Sequence, residues 1–84
     1  MATATVKLYA SLSSYLPNGA DQNTIQVTLP PNATVMSALA DLNVPPERCH
    51  LVLVNGIFVP PSLRASRAIG DGDTLAVWPP VAGG

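Results

Sequence analysis

The sequence predicts an α+β domain in which one short helix packs on a mixed sheet of four to five strands. Three observations carry this prediction: strand-like alternation near the start, one helical stripe of apolar residues, and turn residues that divide the second half into short apolar segments. The chain has 84 residues, 48% of them hydrophobic, which is enough for one small core but not for two domains.

Two strands come first and form a hairpin. In residues 6–10, apolar side chains alternate with more polar ones, which is the two-residue period of a half-buried strand. Residues 16–21 are rich in turn formers, and residues 25–29 alternate again with their apolar side chains inward. Pro30 ends the second strand, because proline cannot donate a hydrogen bond to the ladder.

A helix of two to three turns follows. Thr34 is expected to be its N-cap, because the hydroxyl can accept a hydrogen bond from a free amide of the first turn. Asn43 and the two prolines that come after Val44 end the helix. Its apolar stripe has the spacing i, i+3, i+4 and i+7 and consists of Val35, Ala38, Leu39 and Leu42.

Three short strands complete the sheet. Residues 51–54 are continuously apolar, and Asn55-Gly56 turns the chain into residues 57–59. Residues 70–73 form a turn of alternating glycine and aspartate, and residues 74–78 are the last strand. The resulting order β, β, α, β, β, β is that of the β-grasp or ubiquitin-like fold, in which the last strand lies beside the first in the centre of the sheet.

Charged residues are scarce. They make up only 11% of the chain and the net charge is −1, which excludes a basic nucleic-acid footprint and a polybasic membrane patch. No apolar run has the length of a membrane span and the first residues do not resemble a secretory signal, so we expect a cytoplasmic protein without nucleic-acid or membrane partners. Arg64 and Arg67 could meet an anionic partner, but two isolated arginines are ordinarily solvated side chains.

Side chains that usually carry out catalysis are also scarce. The single cysteine and the single histidine, Cys49 and His50, are neighbours, and neighbours on a strand point to opposite faces. We therefore interpret them as a partly buried thiol and a surface imidazole rather than as a nucleophile and its base. Asp71 and Asp73 are interpreted as part of a reverse turn, because the loop lacks the further ligands of a cation site. No metal site is predicted.

The end of the sequence is its most informative feature. After Trp78 come two prolines, two apolar residues and Gly83-Gly84, so we divide the chain into one domain at residues 1–78 and an extended tail at residues 79–84. The prolines stiffen the base of the tail, and the glycines have no Cβ to obstruct a narrow tunnel. The reactive group of such a tail is its terminal carboxylate, which becomes an electrophile once a partner converts it to an acyl adenylate with ATP.

Three segments resemble the sulfur-carrier family that contains the molybdopterin synthase small subunit (MoaD) and the thiamine-pathway carrier (ThiS). The most specific is residues 71–84, while residues 52–56 resemble the family's Val-Asn-Gly strand and turn, and residues 6–12 its first strand. The resemblance covers nearly the whole chain. The Pro-Pro-Val-x-Gly-Gly ending favours the molybdopterin branch, because thiamine carriers usually lack the proline pair.

The resemblance implies a carrier that is not catalytic by itself and binds no cofactor. An E1-like enzyme would use ATP and Mg²⁺ to adenylate Gly84, and the product would become a thiocarboxylate that donates sulfur. In the molybdopterin branch the tail enters the large subunit of the synthase, and its sulfur builds the dithiolene of molybdopterin. The residues expected in the partner's tunnel are Pro79, Pro80, Val81, Ala82 and Gly83. The residues expected at the partner interface are Trp78, Phe58 and Tyr9.

Strand alternation independently places Trp78, Ala76, Tyr9 and Lys7 on the sheet face away from the helix. Two departures from the family pattern leave the partner open: Ser13-Ser14 stands where relatives often have Arg-Glu, and the loop over residues 60–68 is longer and richer in arginine than expected. Three functions remain. They are a carrier in the molybdopterin or another sulfur pathway (thiamine, cysteine or tRNA thiolation), a ubiquitin-like protein modifier, and a non-covalent interaction module.

Overall fold

A five-stranded sheet forms one layer of the molecule and a short helix forms the other. The computed structural model describes residues 2–16 and 23–80. Within those residues the strands are β1 (Ala2–Leu8), β2 (Thr24–Leu29), β3 (Leu51–Val54), β4 (Ile57–Phe58) and β5 (Thr74–Trp78), and the α-helix is α1 (Val35–Asp41). Short 3₁₀ helices occupy three connections, at Ala10–Tyr15, Pro46–Arg48 and Pro61–Leu63. None of the helices among these residues is long and apolar enough to cross a membrane.

The strand order across the sheet is β2-β1-β5-β3-β4. β1 and β5 pair in parallel, with Val6 opposite Leu75 and Leu8 opposite Val77, whereas the other neighbours pair antiparallel. A parallel pair needs a long crossover connection, which the segments between the first and last strands provide. The predicted β-grasp arrangement, with the last strand beside the first in the centre of the sheet, is confirmed.

The core lies between the sheet and α1. The inward side chains of the three central strands are fully buried, and they are Val6, Leu8, Val52, Val54, Leu75 and Val77. From the helix, the predicted stripe contributes three buried side chains, Val35, Ala38 and Leu39. Leu42 is only partly buried, because it lies at the end of the helix. A fully buried valine or leucine contributes about 1.5–3 kcal/mol relative to an exposed one, so this layer supplies most of the stabilisation.

Both ends of α1 are closed as the sequence predicts. The amide of Ser37 donates to Oγ1 of Thr34 (3.1 Å), and the amide of Thr34 donates in return to Oγ of Ser37 (2.8 Å), which makes a capping box. At the other end Asn43 has φ 63°, and the amide of Val44 donates to the carbonyl of Leu39 (3.0 Å). The left-handed backbone of Asn43 thus lets the amide of Val44 reach a free carbonyl of the last turn, and the helix stops there.

The connection between β1 and β2 contains a 3₁₀ helix that the sequence pattern does not predict. The chain enters it at Ala10, which has φ 53°, and Leu12 is completely buried in the core. Only this one side chain of Ala10–Tyr15 is buried, so no helical stripe marks the segment. A turn is expected over residues 16–21, but residues 17–22 lie outside the described part of the chain.

The segment from Gly70 to Asp73 is a hydrogen-bonded reverse turn, as predicted. The Asp71 carboxylate accepts from the amide of Thr3 (2.9 Å), while that of Asp73 accepts from Nδ2 of Asn55 (2.9 Å) and from the amide of Gly70 (2.8 Å). The hydrogen bonds from Asn55 and Gly70 lower the pKa of Asp73, because they stabilise its charged form. Within residues 2–16 and 23–80, no group of three His, Cys, Asp or Glu side chains can hold a metal ion.

The interpretation of Arg64 as a solvated side chain is wrong. Arg64 is only 6% exposed, and its guanidinium donates to three main-chain carbonyls. Arg67 is more exposed and donates to the carbonyl of Ala68. The sequence cannot separate the two arginines, because they lie in the same loop and burial depends on distant segments that fold over Arg64.

Candidate functional site

An apolar patch covers one end of the sheet face that α1 leaves uncovered. Strand alternation turns its side chains away from the core, and none of them is buried. We call this surface the tail-base patch, and it consists of Tyr9, Leu51, Leu53, Phe58, Ala76 and Trp78. The other end of the same face is polar, with Thr5, Gln26 and Thr74. The apolar end is where β5 finishes and the tail begins.

Tyr9 and Trp78 form the side of the tail-base patch that follows β1 and β5. Their rings stack with centroids 4.4 Å apart and planes 7° from parallel. The parallel pairing of β1 and β5 produces this contact, because it brings the residue after Leu8 beside the residue after Val77. An aromatic pair adds about 0.5–1.5 kcal/mol to the effect of the area it buries. Two of the three predicted interface residues are therefore adjacent and hold each other in place.

The main chain at the end of β5 is paired on both sides. The amide of His50 donates to the carbonyl of Trp78 (2.9 Å) on the β3 side, and the amide of Tyr9 donates to the carbonyl of Val77 (3.1 Å) on the β1 side. Backbone held in this way in a central strand opens rarely. The tail therefore starts from a rigid point of the sheet.

Phe58, the third predicted interface residue, lies at the edge of the patch and is 52% exposed. The tight turn at Asn55 and Gly56 puts it there, with φ angles of 52° and 82° that suit a two-residue hairpin. Leu53 lies directly opposite Phe58 on β3. When a partner covers an aromatic ring that is half exposed to water on an edge strand, the free energy of the system falls.

Two members of the patch, Leu51 and Leu53, are absent from the predicted interface. Residues 51–54 are apolar throughout, so alternation cannot show which side chains turn outward. The strand pairing answers the question, because Leu51 lies opposite Trp78 and Leu53 lies opposite Phe58. Residues paired across strands share a face, so the two-residue turn that follows β3 is a sequence signal that could have identified them.

Lys7 brings a positive charge to this face. It lies opposite Ala76 and alternates with the buried Val6 and Leu8, which confirms its predicted orientation. A lysine stem can lie along apolar surface while its ammonium group stays in water. A surface with apolar side chains and one ammonium group is complementary to an apolar partner surface that carries a carboxylate.

The structure describes the first two residues of the tail. Pro79 is buried and Pro80 is exposed, so the chain leaves the domain between them. Proline fixes φ near about −65°, which limits the directions in which the chain can continue. The other tail residues, Val81, Ala82, Gly83 and Gly84, lie outside the described residues, and their roles stay predictions.

Cys49 and His50 do not form a catalytic pair, in agreement with the prediction. Cys49 is buried, and its Sγ lies 3.5 Å from the carbonyl oxygen of Pro45. Burial raises the pKa of the Cys49 thiol, which makes it a poor nucleophile. His50 is exposed, and its amide rather than its imidazole supports the site. The Cys49 thiol is therefore not activated for chemistry.

The chain is similar to proteins of known structure over its whole length. Two crystal structures of small archaeal modifier protein 1 (SAMP1) from Haloferax volcanii are 29% and 28% identical to it, with TM-scores of 0.67 and 0.70. The matches cover 98% and 96% of this chain and 99% and 100% of those chains. A putative molybdopterin converting factor, subunit 1, from Pyrococcus furiosus has the same fold at 20% identity and a TM-score of 0.67, with 96% and 100% covered. No protein with a curated description matches the sequence.

The ThiS family model matches residues 6–84. That span contains α1, strands β2 to β5 and every residue of the tail-base patch. It also contains the tail at residues 79–84. The match therefore covers nearly the whole chain, and the chain belongs to the ThiS family of ubiquitin-like sulfur carriers and modifiers.

Proposed function

We propose that this chain is a sulfur carrier whose reactive group is the terminal carboxylate of Gly84. One observation carries the proposal: the central strand β5 ends inside the tail-base patch and continues directly into Pro79 and Pro80. A partner that covers the patch therefore receives the tail at a fixed point. The family's members work with E1-like enzymes and sulfur acceptors, and this arrangement suits successive partners of that kind.

The first proposed step is adenylation by an E1-like enzyme. A carboxylate oxygen of Gly84 attacks the α-phosphorus of ATP, an O–P bond forms, and pyrophosphate leaves. The acyl carbon of the product is electrophilic, because AMP is a good leaving group. ATP and Mg²⁺ belong to the activating partner, while this chain supplies the carboxylate and the surface that docks.

In the second step sulfur replaces AMP. The terminal sulfur of a persulfide on the donor attacks the acyl carbon, and AMP leaves. A thiol then cleaves the S–S bond of the acyl persulfide, so that the donor becomes a disulfide and Gly84 keeps the sulfur as a thiocarboxylate. No side chain of this domain is needed, which agrees with the buried, unactivated thiol of Cys49.

For the sulfur acceptor we propose the molybdopterin pathway, with this chain as the small subunit of molybdopterin synthase. The Pro-Pro-Val-x-Gly-Gly ending supports this branch. In this proposal the tail enters a tunnel of the large subunit, where Pro79, Pro80 and Val81 guide it. Ala82 has only a methyl side chain and Gly83 has none, which suits a narrow tunnel.

Intact-mass measurement tests the carrier chemistry. The chain is coexpressed with an E1-like enzyme and its sulfur donor, and we expect a species that is heavier by the difference between sulfur and oxygen. Deletion of Gly84, or addition of one alanine after it, should abolish that species and leave the circular dichroism spectrum unchanged. Absence of the heavier species with an enzyme that thiolates another carrier would contradict the proposal. Full function with the added alanine would favour the non-covalent module.

A second candidate, a ubiquitin-like protein modifier, is supported by the similarity to the two SAMP1 structures. The same adenylate would react with a lysine amine of another protein, an amide bond would form, and AMP would leave. Deletion of Gly84 abolishes both functions and cannot separate them. An immunoblot of cells that express the tagged chain separates them, because only a modifier gives a ladder of conjugates that survives denaturation and thiol treatment.

A further inference from the structure

Arg64 is the only buried polar or charged side chain among the described residues, and the carrier chemistry does not use it. Its Nη1 donates to the carbonyl of Cys49 (2.6 Å), its Nη2 to the carbonyl of His50 (3.2 Å), and its Nε to the carbonyl of Val59 (3.4 Å). A buried guanidinium has a large desolvation cost, which hydrogen bonds must offset. These three bonds therefore fix the side chain and the carbonyls that it holds.

The main chain around Arg64 is attached to the start of α1. The carbonyl of Arg64 accepts from the amide of Met36 (3.0 Å), and the carbonyl of Arg67 accepts from the amide of Val35 (2.9 Å). Amides of the first helical turn have no partner inside the helix, so these contacts satisfy them. The loop is thus anchored on the helix, and the Arg64 side chain extends from it to the residues before β3.

The residue that Arg64 holds is also the residue that holds Trp78. His50 accepts from Nη2 of Arg64 through its carbonyl and donates its amide to the carbonyl of Trp78 (2.9 Å). A continuous hydrogen-bonded path therefore leads from α1 through Arg64 and His50 to the last residue of β5. None of the residues on this path except Trp78 belongs to the tail-base patch.

We propose that Arg64 is a positioning residue for the C-terminal tail. It fixes residues 49 and 50, and these fix Trp78 and the direction in which the tail leaves the sheet. The inference rests on the proposed function, since the direction of the tail matters only if a partner must receive its terminus. Arg64 itself lies outside the patch, so the alignment of the tail can be disturbed without removing a side chain of the patch.

The chain contains one tryptophan and one cysteine, and both lie where Arg64 acts. Quenching of tryptophan fluorescence by acrylamide therefore reports on the base of the tail alone. The rate at which Cys49 reacts with the thiol reagent DTNB reports on opening of residues 49 and 50, because the thiol is buried when the segment is closed. Both readouts are local and are measured on the whole folded chain.

Three variants test the proposal. Arg64→Met keeps an apolar stem and removes the donors, Arg64→Lys keeps the charge, and Arg67→Met is the matched control in the same loop. In Arg64→Met we expect Cys49 to react about 10-fold faster or more, which is the effect of losing a hydrogen bond to a charged group. We also expect stronger quenching of Trp78. Arg64→Lys should lie between Arg64→Met and the wild type, and Arg67→Met should match the wild type.

The kinetics of adenylation by the E1-like enzyme, measured by ATP–pyrophosphate exchange, distinguish an effect on positioning of the tail from an effect on docking. Arg64→Met should lower kcat by about 10- to 100-fold, because a small displacement of a reacting group has an effect of this size. KM should rise by a smaller factor than kcat falls, because Arg64→Met removes no side chain of the patch. Phe58→Asp should give the opposite pattern, with a raised KM. If Arg64 contributed only to global stability, kcat and KM would not change in a variant that circular dichroism shows to be folded.

The proposal is overturned if Arg64→Met folds and has the same thiol reactivity, tryptophan quenching and kcat as the wild type. If neither Arg64 variant folds, hydrogen exchange in the wild type decides the matter. The proposal then requires the His50 amide to be protected from exchange to the same degree as the Tyr9 amide. If the His50 amide exchanges at the rate of an exposed amide, the proposal is overturned. If the two local readouts respond as expected but the wild-type chain is never adenylated, the proposed function fails, while the hold of Arg64 on residues 49, 50 and 78 is still shown.

Discussion

The ring of Tyr9, which follows the first strand, stacks on the ring of Trp78, the last residue of the final strand, with 4.4 Å between centroids. The contact joins the end of β1 to the end of β5 on the sheet face that carries the apolar patch. It exists because β1 and β5 run in parallel and finish at the same end of the sheet. In the proposed function, the stack is part of the surface that a partner covers when it receives the tail.

Truncation of the stack should weaken partner binding more than it weakens the fold. Trp78→Ala should lower the affinity for the E1-like enzyme by about 30-fold or more, the size expected for a central aromatic anchor (about 2 kcal/mol). Isothermal titration calorimetry measures the affinity, with Met36→Ala on the helix layer as the control. An unchanged affinity for Trp78→Ala would remove the patch from the docking surface.

The coupling between the two rings can be measured separately. In a double-mutant cycle of unfolding free energies, Tyr9→Ala and Trp78→Ala should show a coupling of about 0.5–1.5 kcal/mol, as expected for a stacked pair. Urea unfolding followed by far-ultraviolet circular dichroism gives the four free energies. Strict additivity of the two substitutions would show that the rings do not support each other in solution.

Phe58 and Leu63 form a matched pair, because they are 52% and 51% exposed but only Phe58 belongs to the tail-base patch. Phe58→Asp should raise KM for adenylation and leave the unfolding free energy within about 0.5 kcal/mol of the wild type, as is usual for surface changes. Leu63→Asp adds the same charge outside the sheet and should leave KM unchanged. Equal effects of the two substitutions would indicate a general response to added charge.

The lowered pKa of Asp73 predicts how the free energy of unfolding depends on pH. Its pKa in the folded chain is lowered below the ordinary 3.8, chiefly by the hydrogen bond from Asn55. The stabilisation by the charged form is therefore complete above that ordinary value and is lost as the pH falls through the lowered pKa. Asp73→Asn should be less stable than the wild type at neutral pH, and the difference should narrow below about pH 4.

Urea unfolding across this pH range checks the prediction for Asp73. The control is Asn55→Gly, which removes the side-chain donor but tolerates the positive φ of 52° at that position. In the Asn55→Gly background, Asp73→Asn should have a smaller effect at neutral pH. A difference between wild type and Asp73→Asn that is the same at all pH values would contradict the assignment.

The capping box of α1 should be measurable because the helix is only two turns long. Thr34→Ala removes the acceptor of the Ser37 amide at 3.1 Å and should cost about 1 kcal/mol of unfolding free energy. Ser37→Ala removes the reciprocal bond, and the double variant should cost less than the sum of the two, since the bonds support each other. Thermal unfolding measures the effect. Thr28→Ala, on the exposed face of an edge strand, is the control.

Local patterns in the sequence were sufficient to predict most of the fold. The presence of five strands, the cap at Thr34, the stop at Asn43 and the turn at residues 70–73 each follow from side-chain spacing or from the φ that a residue tolerates. The bounds of the first strand do not, because it runs over Ala2–Leu8 instead of residues 6–10. The predicted interface residues Tyr9, Phe58 and Trp78 lie in one patch for the same reason. The 3₁₀ helix Ala10–Tyr15 has no such pattern, because only one of its side chains is buried.

Contacts between segments that are distant in sequence could not be predicted. Arg64 and Arg67 look alike in the sequence, yet only Arg64 is covered by the carbonyls of Cys49, His50 and Val59. In the same way, the outward orientation of Leu51 and Leu53 depends on how β3 pairs with its neighbours. The sequence of a single loop or strand does not show which distant segments will cover it in the fold.

The parallel pairing of β1 and β5 has a mechanical consequence for a tail that partners must grip and release. β5 has β1 on one side and β3 on the other, so a pull on the tail along the strand axis loads both ladders in shear. In shear the hydrogen bonds of a ladder share the force, whereas an edge strand that is peeled away loses them one after another. If partners bind the tail as proposed, the domain should therefore stay folded while the tail is drawn into one partner and pulled out of it again.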